Sequence, residues 1–394
     1  MVVFAHYPAS ETRVQREAEA LLNRGYEVDI LCLRELGDSP EPAFEIVDRA
    51  RVYRLPVSRA YGGVGYFRQL VEYMSFFLLV MFTVTWLHLR RRYSTVQVHN
   101  LPDFLVFAAW VPKLLGSTLV LDLHDLMPEF FVARSGRSTE SWLVRLIIWQ
   151  ERWSCHFADQ VITVTQLWRQ TLIRRGITAN KISVVMNVPD ELVFRRNGRP
   201  AERGDSTFRL LYHGALAKHN GVDMLLEAVA RLRSECPDLR LCIHSGVTGQ
   251  QKDELVALAD RLGVADRVDF SSKLLTVSEL PKFIGSADVG LVPYRNDVFA
   301  DGILPTKLME YVALGVPVIA ARTSAIATYF DDTMVQFFQP GDVEDLARSI
   351  RSLFHDRARL RELAHNADQF NRQHNWTSEG ASYVALLERL SAQA

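Results

Sequence analysis

Asp301-Gly302-Ile303-Leu304-Pro305-Thr306-Lys307-Leu308-Met309-Glu310-Tyr311-Val312-Ala313-Leu314-Gly315-Val316-Pro317-Val318-Ile319-Ala320 reads as a loop opening onto a helix, then a turn, then a buried strand. Gly302 and Pro305 interrupt regular structure, and Leu308, Met309, Val312 and Ala313 recur at helical spacing. Gly315 and Pro317 stop the helix, and Val318-Ile319-Ala320 has strand composition. A helix that begins behind a Gly/Pro loop presents unpaired backbone N–H groups and the positive end of its dipole, and both suit a phosphate. Lys307 adds a cation at that end. Glu310, one turn further on, offers a carboxylate that can accept two hydroxyl hydrogen bonds. Phosphate donors beside a diol acceptor predict a nucleoside-diphosphate site.

Outward from this stretch the chain alternates strand and helix, which favours parallel α/β architecture. Strands are expected at 2–6, 28–33, 51–55, 95–99, 118–123, 160–164 and 182–186 in the first half. Helices are expected at 11–23, 66–91, 103–115, 142–157 and 167–175. The run 195–206 has two Gly, a Pro and little apolar content, and reads as a linker or exposed loop. The alternation then restarts, with strands at 209–213, 239–244, 267–270 and 289–292, helices at 221–234, 251–262 and 278–285, and a final helical region from 343. At 394 residues the chain suits two cores better than one.

The composition is that of an ordinary globular protein, 48% hydrophobic and 23% charged, and the net charge of -1 argues against a nucleic-acid partner. Cys32, Cys155, Cys236 and Cys242 show neither C-x-x-C pairing nor metal-ligand spacing. They are expected to be reduced, structural thiols of a cytoplasmic enzyme. No signal peptide is evident: Met1-Val2-Val3-Phe4-Ala5 reads as a first buried strand. The longest apolar run, Phe76 to Leu89, falls short of the ~20 residues that span a bilayer.

Ligands of parallel α/β sheets sit beyond the carboxyl ends of the strands. Five of those ends carry a histidine: His6, His99, His124, His213 and His244. The Asp122-Leu123-His124-Asp125 group is the most polar of them, and needs hydrogen-bond partners or a cleft. Asp122 or Asp125 would orient the His124 ring or meet a substrate hydroxyl. Gly214 would let backbone approach a phosphate, and Gly221 would start the next helix. There is no Walker A pattern, no strand followed by G-x-G-x-x-G, no G-x-S-x-G elbow and no Asp-x-Asp. No resident metal or cofactor is therefore expected.

The 301–320 stretch resembles the donor-sugar signature of retaining glycosyltransferases of family 4, which share the GT-B fold of two Rossmann-like parallel-sheet domains facing across a cleft. The resemblance extends over the first strand and helix, the 99–131 block, the 209–221 block, the 286–321 block and the terminal helix. It implies an acceptor-binding domain over 1–190, a linker near 191–206, and a nucleotide-sugar domain over 207–371, with a last helix (about 372–394) crossing back to the first domain. His124, Asp125 and Asp122 would be catalytic. Gly214, Lys218, His219, His244, Gly246, Asp301, Gly302, Ile303, Leu304, Thr306, Lys307 and Glu310 would bind the donor, with Glu310 on the ribose. His6, Asn100, Asp103 and Glu129 would meet the acceptor, a saccharide or a lipid-linked one. The implied reaction is retaining, metal-independent sugar transfer in surface polysaccharide or glycoconjugate synthesis.

The chain departs from the family pattern at three places. Ala215 stands for the usual Arg, Asn220 for the usual Lys, and Gly302 for the first of two Glu residues eight apart. Lys218 or His219 would then replace the diphosphate cation. A sugar-nucleotide epimerase on the same fold and a non-catalytic scaffold are the competing readings. Donor conversion without acceptor would mark the first, and no binding of UDP or GDP the second.

The 73–92 segment is apolar nearly all round and ends in Arg90-Arg91-Arg92. It is expected to be a buried helix with a basic cap, or a contact with the inner face of the cytoplasmic membrane, and the two are compatible.

Overall fold

The computed structural model describes residues 1–8, 11–36, 41–57, 65–196, 207–245, 249–271, 275–276 and 278–392. The chain divides into two compact units, Met1–Asn187 joined by Thr377–Ala394, and Val188–Trp376.

The first unit is built on an eight-stranded sheet. Its strands are β1 (Val2–His6), β2 (Asp29–Leu33), β3 (Phe44–Val47), β4 (Ala50–Leu55), β5 (Thr95–His99), β6 (Thr118–Leu123), β7 (Gln160–Thr163) and β8 (Ile182–Val184). They lie in the order β3-β4-β2-β1-β5-β6-β7-β8. All neighbours are parallel except β3, which runs antiparallel to β4. Central strands such as β2 and β6 are buried along their whole length, as expected where helices cover both faces. The β3 edge escapes the sequence reading because Phe44 and Ile46 stay exposed, so it carries no burial pattern.

Its helices are α1 (Thr12–Asn23), α2 (Tyr66–Arg91), α3 (Trp110–Leu114), α4 (Met127–Ser135), α5 (Trp142–Phe157) and α6 (Gln166–Arg174). The stretch expected as one helix over 103–115 is a 3₁₀ segment, Asp103–Ala109, that runs into α3. Right-handed crossovers β4→β5, β5→β6 and β6→β7 all step the same way along the sheet, which puts α2, α3 and α5 on one face. The step β1→β2 runs the opposite way and puts α1 on the other. Ring contacts agree: Phe4 of β1 meets Tyr73 and Phe76 of α2, Phe77 meets Phe104 of the 3₁₀ segment, and Phe107 meets Phe157 of α5.

The second unit is a six-stranded parallel sheet, β9 (Phe208–His213), β10 (Leu239–His244), β11 (Val268–Ser271), β12 (Val289–Val292), β13 (Val318–Ala321) and β14 (Gln336–Phe338), in the order β11-β10-β9-β12-β13-β14. Its helices are α7 (Val222–Arg231), α8 (Gln250–Arg261), α9 (Leu280–Ile284), α10 (Val298–Gly302), α11 (Thr306–Ala313), α12 (Ser324–Tyr329), α13 (Val343–His355) and α14 (Arg357–Gln373). The last helix, α15 (Trp376–Ser391), begins at the boundary. In the first unit its Tyr383 hydroxyl donates to Gln97 of β5 at 2.6 Å.

The reading of 301–305 as a loop holds for 303–305 and is corrected for Asp301 and Gly302. Val298–Gly302 is a short helix whose first N–H groups, those of Phe299 and Ala300, donate to the Asp297 carboxylate at 2.8 and 3.1 Å. The reading of the 76–89 run as too short to cross a membrane is also corrected, because Ser and Thr extend the apolar window and the helix over Phe67–Arg91 is long and apolar enough by length and composition. Phe76, Val80, Val84 and Leu87 nevertheless form a buried stripe in the core of the unit. Crossing a bilayer would require withdrawing that stripe from the sheet.

Candidate active site

In the second unit the tip of β9 meets the start of α11. Gly214 adopts φ +121°, a region that glycine enters freely, and a β-carbon there would lie 3.2 Å from Lys307 Nζ. Lys307 is buried, donates to the Tyr212 hydroxyl at 3.1 Å, and lies over the Tyr212 and Tyr294 rings at 4.3 and 5.7 Å. Burial pulls its pKa down to about 7, with Glu310 acting in the opposite sense. No side chain caps α11 at Pro305, so its first turn keeps N–H groups available for an anion. Glu310 is half-buried, and its carboxylate lies 3.3 Å from His213 Nε2. Burial, then Lys307 and His244, hold His213 neutral, with a pKa near 3.

The framework behind these groups is specific. The Tyr311 hydroxyl donates to the Leu211 carbonyl at 3.0 Å, and a β-carbon at Gly290 would meet the Tyr311 ring at 2.4 Å. Only glycine at 290 lets α11 lie this close to β12. Tyr212 and Asn220 both donate to the Ala215 carbonyl, which fixes the turn after β9. Gly221 is equally constrained, since a β-carbon there would sit 2.0 Å from the Pro293 carbonyl oxygen.

In the first unit a second polar group lies at the carboxyl ends of β5 and β6. Asp122 Oδ2 is 3.3 Å from both His99 Nδ1 and His124 Nε2, and those two nitrogens are 3.2 Å apart. Arg13 of α1 forks onto both oxygens of Asp122 at 3.0 and 3.1 Å, and Gln97 joins Asp122 to Glu17. Burial disfavours charge on Asp122, but Arg13 and then His124 override it and hold the carboxyl well below its usual range. Burial likewise opposes charge on His124, and Asp122 overrides it, so the imidazole pKa stands above its ordinary value. His99, fully enclosed, is pushed down to about 4 by burial. His124, whose charged form Asp122 favours, is the group of the cluster that reaches solvent, with its side chain 19% exposed.

His99, Asp122 and His124 each place one ligand atom within 4.8 Å of the others, a spacing a metal ion could use. The Asp122 oxygen they share already accepts from the Arg13 guanidinium at 3.0 Å. A divalent cation beside that fixed positive charge would be strongly disfavoured, so the donor set suits a proton network better than a metal.

Residues 9–187 match the profile described as Glycosyl transferase 4-like domain, and residues 195–373 match Glycosyl transferases group 1. The chain belongs to the family 4 glycosyltransferases of GT-B fold. It is 25% identical over 287 residues to the sulfoquinovosyl transferase of Arabidopsis thaliana, covering 70% of this chain and 52% of that protein. It is 31% identical over 249 residues to the D-inositol 3-phosphate glycosyltransferase of Mycolicibacterium smegmatis, covering 60% and 55%. The chain thus spans about half the length of the curated relatives it matches. Among solved structures, the fold is similar to sucrose-phosphate synthase from Thermosynechococcus elongatus, with a TM-score of 0.75 at 20% identity over 97% of this chain and 94% of that one. It is also similar to Anabaena HepE in complex with UDP-glucose, with a TM-score of 0.71 at 17% identity over 98% of each chain.

Set on the family 4 scaffold, the sequence-predicted residues separate into those the structure brings together and those it does not. Gly214, Lys307 and Glu310 converge, and His213 completes the group. His244 pairs in register with His213 on the neighbouring strand, and its ring meets Ser271 Oγ at 3.2 Å and Phe283. Lys218 and His219 sit on the 3₁₀ turn Lys218–Asn220, with Lys218 exposed and the His219 ring edge-on to Phe299 at 5.6 Å. Thr306 is exposed at the start of α11, whereas Ile303 is half-buried and Leu304 buried. Gly246 lies outside the described residues.

Other predicted residues have their places fixed within the fold. Asp301 accepts the Ser324 N–H at 2.8 Å, and so ties α10 to the start of α12. Gly302 is the buried end of α10, without the carboxylate the family places there. Asp122 is fully buried behind both imidazoles, 3.3 Å from His124 Nε2, which fits the orienting one of the two roles expected of it. Asn100, expected on the acceptor, is occupied as a clamp: its amide donates to Asp103 and to the Asp125 carbonyl, and its oxygen accepts the His124 N–H. Asp103 is fully enclosed, and burial raises its pKa to about 7. Glu129 pairs with Arg175, which also holds both oxygens of Glu151. Of the acceptor set His6 is the residue that keeps a partly exposed side chain beyond a strand tip, 3.9 Å from Glu35. Asp125 is half-buried next to His124.

The sequence reading missed Arg13, Glu17, Gln97 and Tyr383. Arg13 and Glu17 are four apart on α1 beside the apolar Val14 and Ala18. That i, i+4 charge pair inside a core-facing stripe was the one signal available.

Proposed function

We propose that this chain transfers a sugar from a nucleoside-diphosphate sugar to a hydroxyl acceptor with retention at the anomeric carbon. The observation that carries the reading is the convergence of Gly214, Lys307, His213 and Glu310 where β9 meets α11. An open turn, an uncapped helix start and a buried cation suit the diphosphate, and a carboxylate one turn away suits the ribose diol. The bond from the anomeric carbon to the β-phosphate oxygen breaks, and the acceptor oxygen bonds to the same face. The acceptor proton passes to the departing phosphate. Lys307 and the α11 N–H groups take up the charge that develops there, so no protein nucleophile and no metal ion are needed. His124, whose charged form Asp122 favours, donates to a hydroxyl of the acceptor. The acceptor is a saccharide or a lipid-linked one in surface polysaccharide or glycoconjugate assembly, and the setting is cytoplasmic.

A thermal-shift series with UDP-, GDP- and ADP-sugars tests the donor assignment, followed by mass analysis of products. One base should raise the melting temperature of the wild type, and Glu310→Ala should weaken that donor by about 10- to 100-fold, the loss of hydrogen bonds to a charged acceptor. No shift with any nucleotide would favour the scaffold reading. Conversion of the donor sugar without acceptor would favour the epimerase.

A further inference from the structure

α2 has two apolar sides. One is the buried stripe on the sheet. The other carries Phe67, Leu70, Met74, Leu78, Phe82 and Trp86 at helical spacing, all exposed, with Phe67 at 79% and Phe82 at 67%. A helix of a soluble surface ordinarily turns a polar side to water. On the same face of the sheet, α5 exposes Trp142, Leu146, Trp149 and Trp153 along one stripe, and α3 exposes Trp110 and Leu114. Of the seven tryptophans in the chain, Trp86, Trp110, Trp142, Trp149 and Trp153 are exposed, and these three helices carry all five. Trp168 is buried and Trp376 half-buried. An apolar area of this extent on a water-soluble surface marks an interaction site.

The exposed charged residues of these three helices are all basic. Arg90 lies over the Trp86 ring at 4.0 Å, Arg92 ends α2, and Arg145 and Arg152 border the tryptophan stripe of α5, all exposed. The acidic residues of the three helices do not balance them: Glu72 pairs with Arg68, and Glu151 is buried under Arg175. A second copy of the chain set symmetrically on this face would bring arginines against arginines. An anionic lipid surface matches both properties, since tryptophan rings favour the water–hydrocarbon boundary and arginines the headgroup charge.

We propose that the outer layer of α2, α3 and α5 docks on an anionic bilayer, inserting exposed tryptophan, phenylalanine and leucine side chains to headgroup depth while the helices stay on the sheet. The inference stands apart from the glycosyl-transfer reading, because lipid binding is measured with no sugar nucleotide present.

Flotation with vesicles of phosphatidylcholine alone, and with about 30% phosphatidylglycerol added, tests it. The full chain should float with the anionic vesicles and lose binding as salt is raised. Trp149→Glu with Trp153→Glu should lower the bound fraction about tenfold. Arg145→Glu with Arg152→Glu should lower binding to the anionic vesicles only. Phe82→Glu, on a different helix, should act as the tryptophan pair does, and unchanged circular dichroism melting would show that the variants fold. Failure to float with either composition would overturn the proposal, as would wild-type flotation of the tryptophan and Phe82 variants. A concentration-dependent dimer that Trp149→Glu with Trp153→Glu dissolves, without vesicle binding, would assign the face to a second copy instead.

Discussion

The Lys307 ammonium lies 3.2 Å from the point where a β-carbon would project from Gly214. The helix start and the strand tip are therefore matched to within one methyl group. Gly214→Ala would crowd Lys307 and force alanine into φ +121°, where L side chains are strained. Because the residue lies on a half-buried turn, the domain should still fold, with a loss of about 1–3 kcal/mol in urea denaturation. Donor KM should rise more than tenfold, read from initial rates at varied sugar nucleotide.

Lys307 titrates near 7 because burial penalises its charge. A diphosphate arriving beside it favours the ammonium and raises that pKa. Donor binding near pH 7–8 should therefore take up a proton, and affinity should fall as pH rises above about 7. Calorimetry in two buffers of different ionisation enthalpy reads the uptake directly. Equal enthalpies in both would remove Lys307 from the diphosphate site. Lys307→Met should abolish the uptake along with most of the affinity.

Asp122 sets the charge of His124. In Asp122→Asn the burial that opposes charge is no longer overridden, so the His124 pKa should fall below the ordinary imidazole value, as followed by its ring proton resonances. Turnover should drop by about 100-fold or more while donor KM changes little, since the donor groups belong to the other unit. In the wild type, a folded-state pKa above the unfolded one means that this pair stabilises the fold below about pH 6.5. That contribution is lost as pH rises through the raised value.

Arg175 is the cation that holds Glu129 and Glu151, with Asp103 also near it. Arg175→Met leaves these enclosed carboxyl groups without a counter-charge. Stability should fall by about 3–5 kcal/mol at about pH 9 and by less at about pH 6, because burial raises the Glu151 pKa to about 8 and that carboxyl is protonated below it. Glu129→Gln should be milder, because Arg175 keeps both oxygens of Glu151. Chemical denaturation at the two pH values separates these outcomes.

Much of the fold was legible because the buried strands are short runs of Val, Ile and Leu punctuated by Gly and Pro. β12, Val289 to Val292, and the helix from Thr306 follow from that pattern directly. β3 and β14 were not legible. The first is an exposed edge and the second only three residues long, so neither carries a period. For the site, the strand-tip rule nominated His6, His99, His124, His213 and His244, and the structure sets His99 beside His124 and His213 beside His244. It said nothing of which carboxylates would be enclosed. Asn100, Asp103 and Glu129 have the composition of ligands, yet they serve to hold loops and helices together.

By itself the sequence determined the alternation of β and α, the glycines at 214, 221 and 290, and the pairing of Lys307 with Glu310 one helical turn apart. These are local facts, fixed by backbone freedom and by helical spacing. Tertiary structure alone decided that Arg13 of the first helix, Gln97 of the fifth strand and, through Gln97, Tyr383 of the last helix back a single carboxylate, Asp122. It also decided that one side of α2 is buried while the other faces out. Both depend on which segments distant in the chain become neighbours across a sheet, and residue order sets no charge environment until that packing brings the partners within a few ångströms.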